Sequence, residues 1–352
     1  MAYSTIEEPT VPSEGFRWND LDRRGEWLYS DPLENVTNTV SSSGEDPSKR
    51  RANPISLAPN HIMLYPPTAP ERSSFHQLKD PPNHLAFGPD GNHLFVVGRR
   101  PEIRVYDEDS VHENVAFIPL PHKGFVTDLN LAEGGGHMLA LVMSTAPGIL
   151  AVNTSTFSPQ AYLPLDGLDN GVPTCVRSGQ PGTLLVTVAK SGRAGHLLII
   201  DALTGATLDI FEVGASPTSV STTPDKSLAY VANSNSGSVT VLDLKTRRIL
   251  GSLPVGVGPQ QTAVTPDGKM LLVTNQGSDT LTVIDTEQQR VIGFVRVGKS
   301  PLGIAISADG THCYVSNRTS QNISKVDLKT LRQVHQTDPM PRSRPLGIVL
   351  RN

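Results

Sequence analysis

One spacing recurs three times in the second half of the chain and limits what the chain can fold into. Three stretches begin at Ser216, Gly258 and Ser300 and read SPTSVSTTPDKSLAYVANSNSGSVTVLDL, GPQQTAVTPDGKMLLVTNQGSDTLTVIDT and SPLGIAISADGTHCYVSNRTSQNISKVDL. Four landmark residues repeat at intervals of 42, namely Pro217, Pro259 and Pro301, then Asp225, Asp267 and Asp309, then Asn233, Asn275 and Asn317, then Asp243, Asp285 and Asp327. Such regular spacing indicates a repeat architecture.

Each repeat holds four short aliphatic and β-branched runs that are separated by turn signals. The triplet PDG, or its counterpart, marks the turn between the first two runs, and polar segments such as NSNSG, NQGSD and LDLKTRR mark the later turns. Four strands in 42 residues are typical of one blade of a β-propeller. Helical repeats would need amphipathic helices at a period of about 33–34 residues, and the chain has none of these.

Weaker copies extend the pattern towards the N-terminus at residues 81–107, 124–153 and 172–201, which makes six sequential blades over 81–337. Near the C-terminus, residues 345–350 (PLGIVL) repeat a first strand and the chain then stops. Its partners are expected from the N-terminal segment 1–80, in GEWLYS (25–30), NHIMLYP (60–66) and SSFHQL (73–78). The Ser-rich, charged stretch 38–53 is expected to be a mobile loop. The sequence therefore predicts an all-β, seven-bladed β-propeller, a single domain over 1–352. Each blade would have four antiparallel strands, and strands from both termini would close the last.

Composition excludes several classes of function. A net charge of −4 argues against nucleic acid as a partner, and no apolar stretch is long enough to cross a membrane. The first 15 residues lack the apolar segment of a secretory signal, and the chain has two cysteines, so we expect a cytoplasmic protein. No His and Cys residues have zinc-ligand spacing, and no phosphate loop or dinucleotide fingerprint occurs, so we expect no metal and no cofactor.

The landmark segments also carry a family resemblance. YVAN, LVTN and YVSN, with PDG or its counterpart before and VLD or VID after, resemble the YVTN-repeat β-propeller family. The resemblance is specific in three repeats and implies a fold, while it says little about activity.

Propellers place ligands at the mouth of the central channel, which the starts of the first strands surround. The repeat register puts there the residue two positions after each landmark proline, which gives His84, Asp128, Cys175, Ser219, Gln261, Gly303 and Gly347. The blade that contains Asp128 lacks the proline, so the register places this residue to within one position. Three consecutive blades thus offer His, Asp and Cys, which predicts a pocket on one side of the mouth. His84 is either a polar cap of its strand or an acid/base, and Cys175 is either a small buried filler or a nucleophile.

Loops on the same face are expected to add cations around the mouth. The predicted ligand-binding residues are Arg99, Arg100, Arg104, Cys175, His196, Gln261, Arg342 and Arg344. A basic mouth on an acidic protein favours a small anionic ligand, although solvated loop charge would give the same pattern.

A weaker resemblance joins these residues. RRPEIRV and NHLAFGPDG are similar to stretches of the lactonase-type, phosphogluconolactonase-like seven-bladed propellers, with matches at Arg100, Pro101, Glu102, Arg104, Val105, His84 and Phe87. The resemblance implies hydrolysis of a lactone in the cytoplasm. We therefore predict a small-molecule enzyme of hydrolase, isomerase or cyclase type, with His84, Asp128 and Glu102 as catalytic residues. The alternative is a non-catalytic propeller that binds a protein partner, which would need a large exposed apolar patch.

Overall fold

The computed structural model describes residues 26–30, 61–65, 74–77, 82–98, 100–107, 114–121, 124–337 and 347–351, and their regular elements are twenty-eight β-strands. The predicted mobile loop 38–53 lies outside these ranges. The strands form four-stranded antiparallel sheets in which sequential strands are neighbours. Local chemistry sets the turns between them. In the PDG turn, for example, the Asp267 carboxylate accepts the N–H of Lys269 at 3.0 Å and the hydroxyl of Thr265 at 2.6 Å.

Six sheets follow the repeat, and we number them blades 1 to 6. Their strands are Pro82–Phe87, His93–Gly98, Glu102–Asp107 and Asn114–Pro119 in blade 1; Phe125–Leu131, His137–Met143, Gly148–Asn153 and Pro159–Pro164 in blade 2; Val172–Ser178, Thr183–Ala189, Ala194–Asp201 and Thr207–Ala215 in blade 3; Pro217–Thr222, Leu228–Asn233, Ser238–Asp243 and Arg248–Pro254 in blade 4; Pro259–Val264, Met270–Asn275, Thr280–Asp285 and Arg290–Arg296 in blade 5; and Pro301–Ile306, His312–Asn317, Asn322–Asp327 and Arg332–Gln336 in blade 6.

The predicted count of seven blades is corrected to six. The six sheets over 82–336 are the ones that the repeat builds and whose side chains pack as blades. The sequence counted the C-terminal strand, together with strands expected from residues 1–80, as a seventh blade. The strands that pair with it, Glu26–Ser30, His61–Tyr65 and Ser74–Gln77, carry none of the repeat's landmarks.

These terminal strands form a separate sheet, which we describe from its backbone and call the terminal sheet. Its order is Gly347–Arg351, Glu26–Ser30, His61–Tyr65 and Ser74–Gln77, with Trp27 opposite Leu350. The C-terminal strand lies beside the first strands of blades 6 and 1. The two ends of the chain are therefore joined by backbone pairing.

The core lies between neighbouring blades. One cluster joins Phe95, Ile103 and Ile118 of blade 1 to Met138 and Leu150 of blade 2, all of them buried. The same arrangement continues between the later blades. The first strand of each blade lies next to the first strand of the following blade, so these inner strands surround a central axis. Of the four strands of a blade, the inner one is therefore nearest to the channel along this axis.

The landmark asparagines are structural. Asn233, Asn275 and Asn317 end the second strands of blades 4, 5 and 6 and are 0% exposed. The amide of Asn275 donates to the Thr282 hydroxyl at 2.7 Å, and the other two asparagines make the matching bond to the third strand. Each asparagine thereby ties the second strand of its blade to the third, which explains why this residue type recurs at the 42-residue interval.

Candidate functional site

The position two residues after each landmark proline, or after its counterpart Val126 in blade 2, lies at the boundary between neighbouring blades. We call this place the inter-blade position. Four of these side chains accept the backbone N–H of the neighbouring inner strand, and they are Asp128 from Val176 at 2.9 Å, Cys175 from Val220, Ser219 from Thr262 at 3.0 Å, and Gln261 from Ile304 at 2.7 Å. Register shifts in the inner strands, such as the one between Pro173 and Cys175, occur beside this position. The variety of residue types there is therefore compatible with a shared structural task.

His84 occupies the same position in blade 1 and differs from the other four. It lies at a register shift after Pro82, opposite Val97, and its side chain is half-buried. Among the residues that the structure describes, its imidazole makes no bond of this kind to the next inner strand. Its ring nitrogens are consequently not committed to holding blades 1 and 2 together.

An ion pair lies next to His84. The guanidinium of Arg177, on the inner strand of blade 3, donates through Nη1 to Oδ2 of Asp128 on the inner strand of blade 2 at 2.5 Å. Asp128 is 7% exposed, whereas the Arg177 side chain keeps 22% of its surface accessible. Three neighbouring inner strands thus bring a histidine, an aspartate and an arginine into electrostatic contact.

The charges of this group follow from burial and pairing. Burial opposes ionisation of Asp128, but Arg177, His84 and the hydrogen bonds from Val176 and Arg177 together outweigh it and hold the pKa of that carboxyl below its ordinary value. Burial also lowers the pKa of His84 below its usual 6.5; Asp128 counters this in part, and Arg177 reinforces it. Near pH 7 the group therefore holds a carboxylate, a guanidinium and a neutral imidazole. A neutral imidazole can accept a proton.

Cys175 does not have the environment of a nucleophile. It is 2% exposed, and burial raises the pKa of its thiol to about 12. A thiolate, the reactive form, is therefore scarce at neutral pH. These properties favour the interpretation of Cys175 as a small buried filler, which also accepts the N–H of Val220.

Glu102 and Arg104 lie in the third strand of blade 1 rather than in the preceding loop, where the sequence placed Arg104. Arg104 is 7% exposed and donates to one oxygen of Glu102, through Nε and through Nη2, at 2.7 Å in each case. Any catalytic role of Glu102 would have to operate with its carboxylate held by this pair.

The other predicted ligand-binding residues are scattered. Arg100 is exposed between the second and third strands of blade 1. His196 lies on the third strand of blade 3, and its buried Nδ1 has no hydrogen-bond partner among the described residues. The Gln261 side chain is occupied at its inter-blade bond. Arg99, Arg342 and Arg344 lie outside the described residues. The roles predicted for all of these residues stay predictions.

Sequence analysis did not select Arg177. A signal was available, because Arg177 comes four residues after Pro173, where blades 4, 5 and 6 have Ser221, Ala263 and Ala305. A long charged side chain at a place that is otherwise small and neutral marks a departure from the repeat. Over the ranges that the structure describes, no three His, Cys, Asp or Glu residues are grouped as metal ligands. Within those same ranges, no helix has the length and apolar character to cross a membrane, and the cytoplasmic location stays a prediction.

Comparison with known families agrees with the repeat. Residues 204–309 match the model of the family described as YNCE-like beta-propeller. The matched stretch contains all of blades 4 and 5, and its repeat is similar to that of this YVTN-type β-propeller family. The resemblance to lactonase-type propellers stays unconfirmed.

A solved structure supports the fold of this propeller. It is titled Kuenenia stuttgartiensis Hydrazine Synthase and superposes with a TM-score of 0.66, at 16% sequence identity, over 76% of this chain and 89% of that chain. At this identity the likeness shows the fold alone. No curated protein matches the chain in sequence.

Proposed function

We propose that this propeller is a small-molecule enzyme with its site on the inner strands of blades 1 to 3 and with His84 as general base. The observation that carries the proposal is the environment of the His84 imidazole. It occupies an inter-blade position without an inter-blade bond, and it interacts with the Asp128–Arg177 ion pair. Buried ionisable groups with shifted pKa values are concentrated at functional sites.

The blades on the other side of the channel lack this chemistry. At the inter-blade position, blades 4, 5 and 6 have Ser219, Gln261 and Gly303, which are neutral. Burying an ion pair costs desolvation that neutral residues avoid. The stabilisation of a propeller therefore does not require the charges of blades 2 and 3, and a role in binding or catalysis accounts for them.

Hydrolysis of a lactone illustrates the proposed chemistry. Neutral His84 takes a proton from a water molecule while the water oxygen attacks the carbonyl carbon of the lactone. The ring C–O bond then breaks, and the imidazolium returns the proton to the departing alkoxide, which gives a hydroxy acid. Asp128 stays ionised and stabilises the imidazolium electrostatically, so its proposed role is to support His84 rather than to transfer the proton.

The test is a conversion assay with the full-length protein. A panel of sugar and aliphatic lactones and the corresponding hydroxy acids would be incubated with the protein and followed by mass spectrometry. We expect protein-dependent ring opening or closure of at least one member. Conversion of none, with a folded protein, would contradict the proposal.

A second candidate is a non-catalytic scaffold that binds a protein partner. Outer strands favour it, because Phe117 in blade 1, Leu250 in blade 4 and Phe294 in blade 5 are 55–60% exposed. These apolar side chains lie on the rim, away from the inner strands. Replacing Phe294 by Ser should weaken partner binding in this case and should leave any turnover at the channel unchanged.

A further inference from the structure

Arg177 has a hydrogen-bonding edge that no residue described by the structure occupies. A guanidinium carries five N–H donors. Nη1 donates to Oδ2 of Asp128 at 2.5 Å and to the carbonyl of Val176 at 2.6 Å. Among the residues that the structure describes, no hydrogen bond engages Nε or Nη2. The donors on that side of the guanidinium are therefore available to a ligand.

The side chain of Arg177 is partly accessible and stands on an inner strand. Arg177 lies on the inner strand of blade 3, which pairs on one side with Thr183–Ala189 and has the central axis on the other. The side chain keeps 22% of its surface accessible and stands on the strand nearest to the axis. A ligand in the channel is therefore expected to have access to Arg177.

The guanidinium is also held in place before a ligand arrives. Asp128 fixes Nη1 and is itself fixed by the N–H of Val176 at 2.9 Å. A guanidinium held in this way loses less freedom on binding, and its Nε and Nη2 groups match the two oxygens of a planar carboxylate. Because Asp128 already balances the charge of Arg177, a singly charged ligand is favoured over a doubly charged one.

We propose that the free Nε and Nη2 edge of Arg177 is a carboxylate-binding site. This inference rests on the proposed function, since it describes a ligand of the same site. It specifies that the substrate or product bears a carboxylate, which ring opening of a lactone would generate. Binding itself can be measured without turnover, so the two proposals can fail separately.

The experiment is an NMR titration of the full-length protein with acetate at constant ionic strength. The backbone amides of Val176 and Arg177 and the Nε–H of Arg177 report on the site. Arg177→Lys keeps the charge and removes the paired donors, and Arg248→Lys, an exposed residue on the outer strand of blade 4, is the matched control. Inorganic phosphate replaces acetate in a second arm.

We expect saturable acetate shifts in the wild type, a loss of affinity of about tenfold or more in Arg177→Lys, and wild-type behaviour in Arg248→Lys. Phosphate should bind more weakly than acetate. Unchanged acetate affinity in Arg177→Lys, or tighter binding of phosphate, would overturn the proposal. If Arg177→Lys does not fold, the wild type still decides, because an Arg177 Nε–H resonance that acetate does not shift is incompatible with the site.

The two measurements together distinguish a missing carboxylate site from a missing enzyme activity. Arg177-dependent acetate binding with no lactone conversion supports the carboxylate site and counts against the proposed enzyme. If lactones are converted and the acetate affinity is unchanged in Arg177→Lys, the enzyme is supported and the carboxylate site is overturned.

Discussion

The backbone N–H of Val176 donates to Oδ2 of Asp128 at 2.9 Å, across the boundary between blades 3 and 2. The same oxygen accepts Nη1 of Arg177. Asp128 therefore joins two blades in the way that Ser219 and Gln261 do elsewhere, and in addition it anchors the one arginine that we place in the proposed site.

Replacing Asp128 by Asn separates these two contributions. The amide oxygen can still accept the N–H of Val176, while Arg177 loses its counter-charge. We expect the free energy of unfolding to fall by about 1–3 kcal/mol, because a partly buried charge is left unpaired. Urea unfolding measures this. Asp169→Asn is the control, since Asp169 is 74% exposed beside Lys190 and should change stability by less than about 0.5 kcal/mol. Equal effects of the two substitutions would show that the buried pair contributes nothing.

His84 should make stability depend on pH. The groups that act on it are Asp128 and Arg177, and burial dominates, so its pKa in the folded state lies below 6.5. The unfolded chain therefore binds a proton more readily, and stability falls as the pH decreases below about 6.5. His84→Gln should make this decline shallower. His137 and His196, whose pKa values burial also lowers, contribute equally to both proteins. Identical declines in urea unfolding at about pH 7.5 and 5.5 would contradict the prediction.

The landmark asparagines should be costly to replace. Asn275 is fully buried and donates to the Thr282 hydroxyl at 2.7 Å. Asn275→Ala leaves that bond unmade and should lower the free energy of unfolding by about 1–3 kcal/mol. Asn235→Ala, at an exposed turn position in blade 4, should change it by less than about 0.5 kcal/mol. If the melting curve of Asn275→Ala overlays that of Asn235→Ala, the structural role assigned to Asn275 is contradicted.

Both thiols should be inert in the folded protein. Cys175 and Cys313 are 2% and 0% exposed, and burial raises the pKa of each. We expect neither to react with a thiol-specific disulfide reagent under native conditions, and both to react in denaturant. Rapid native labelling of Cys175, located by peptide mapping, would restore the interpretation of Cys175 as a nucleophile.

The repeat predicted strand positions well because local turn chemistry decides them. The landmark prolines begin inner strands at Pro217, Pro259 and Pro301, and the landmark asparagines end the second strands at Asn233, Asn275 and Asn317. The three N-terminal strands at 26–30, 61–65 and 74–77 match the segments that the sequence nominated, since each is a short β-prone run between polar or proline-containing stretches.

The site was harder to predict because its contacts join distant parts of the chain. Asp128 and Arg177 are 49 residues apart, and nothing in the local sequence of either predicts the pair. The inter-blade bonds of Ser219 and Gln261 likewise depend on how neighbouring blades pack. Sequence register placed His84, Asp128 and Cys175 side by side, but it could not show that two of them hold blades together.

The most direct test of the account compares His84→Ala with Ser219→Ala. Both residues occupy the inter-blade position, in blades 1 and 4. The Ser219 hydroxyl accepts an inter-blade hydrogen bond, whereas His84 makes none to the described residues. With a lactone that the wild type converts, His84→Ala should lower turnover by about 10²–10⁴-fold, the usual size of general-base catalysis, while its melting temperature stays near that of the wild type. Ser219→Ala should keep its turnover and lose stability. Full turnover in a folded His84→Ala protein would contradict the account.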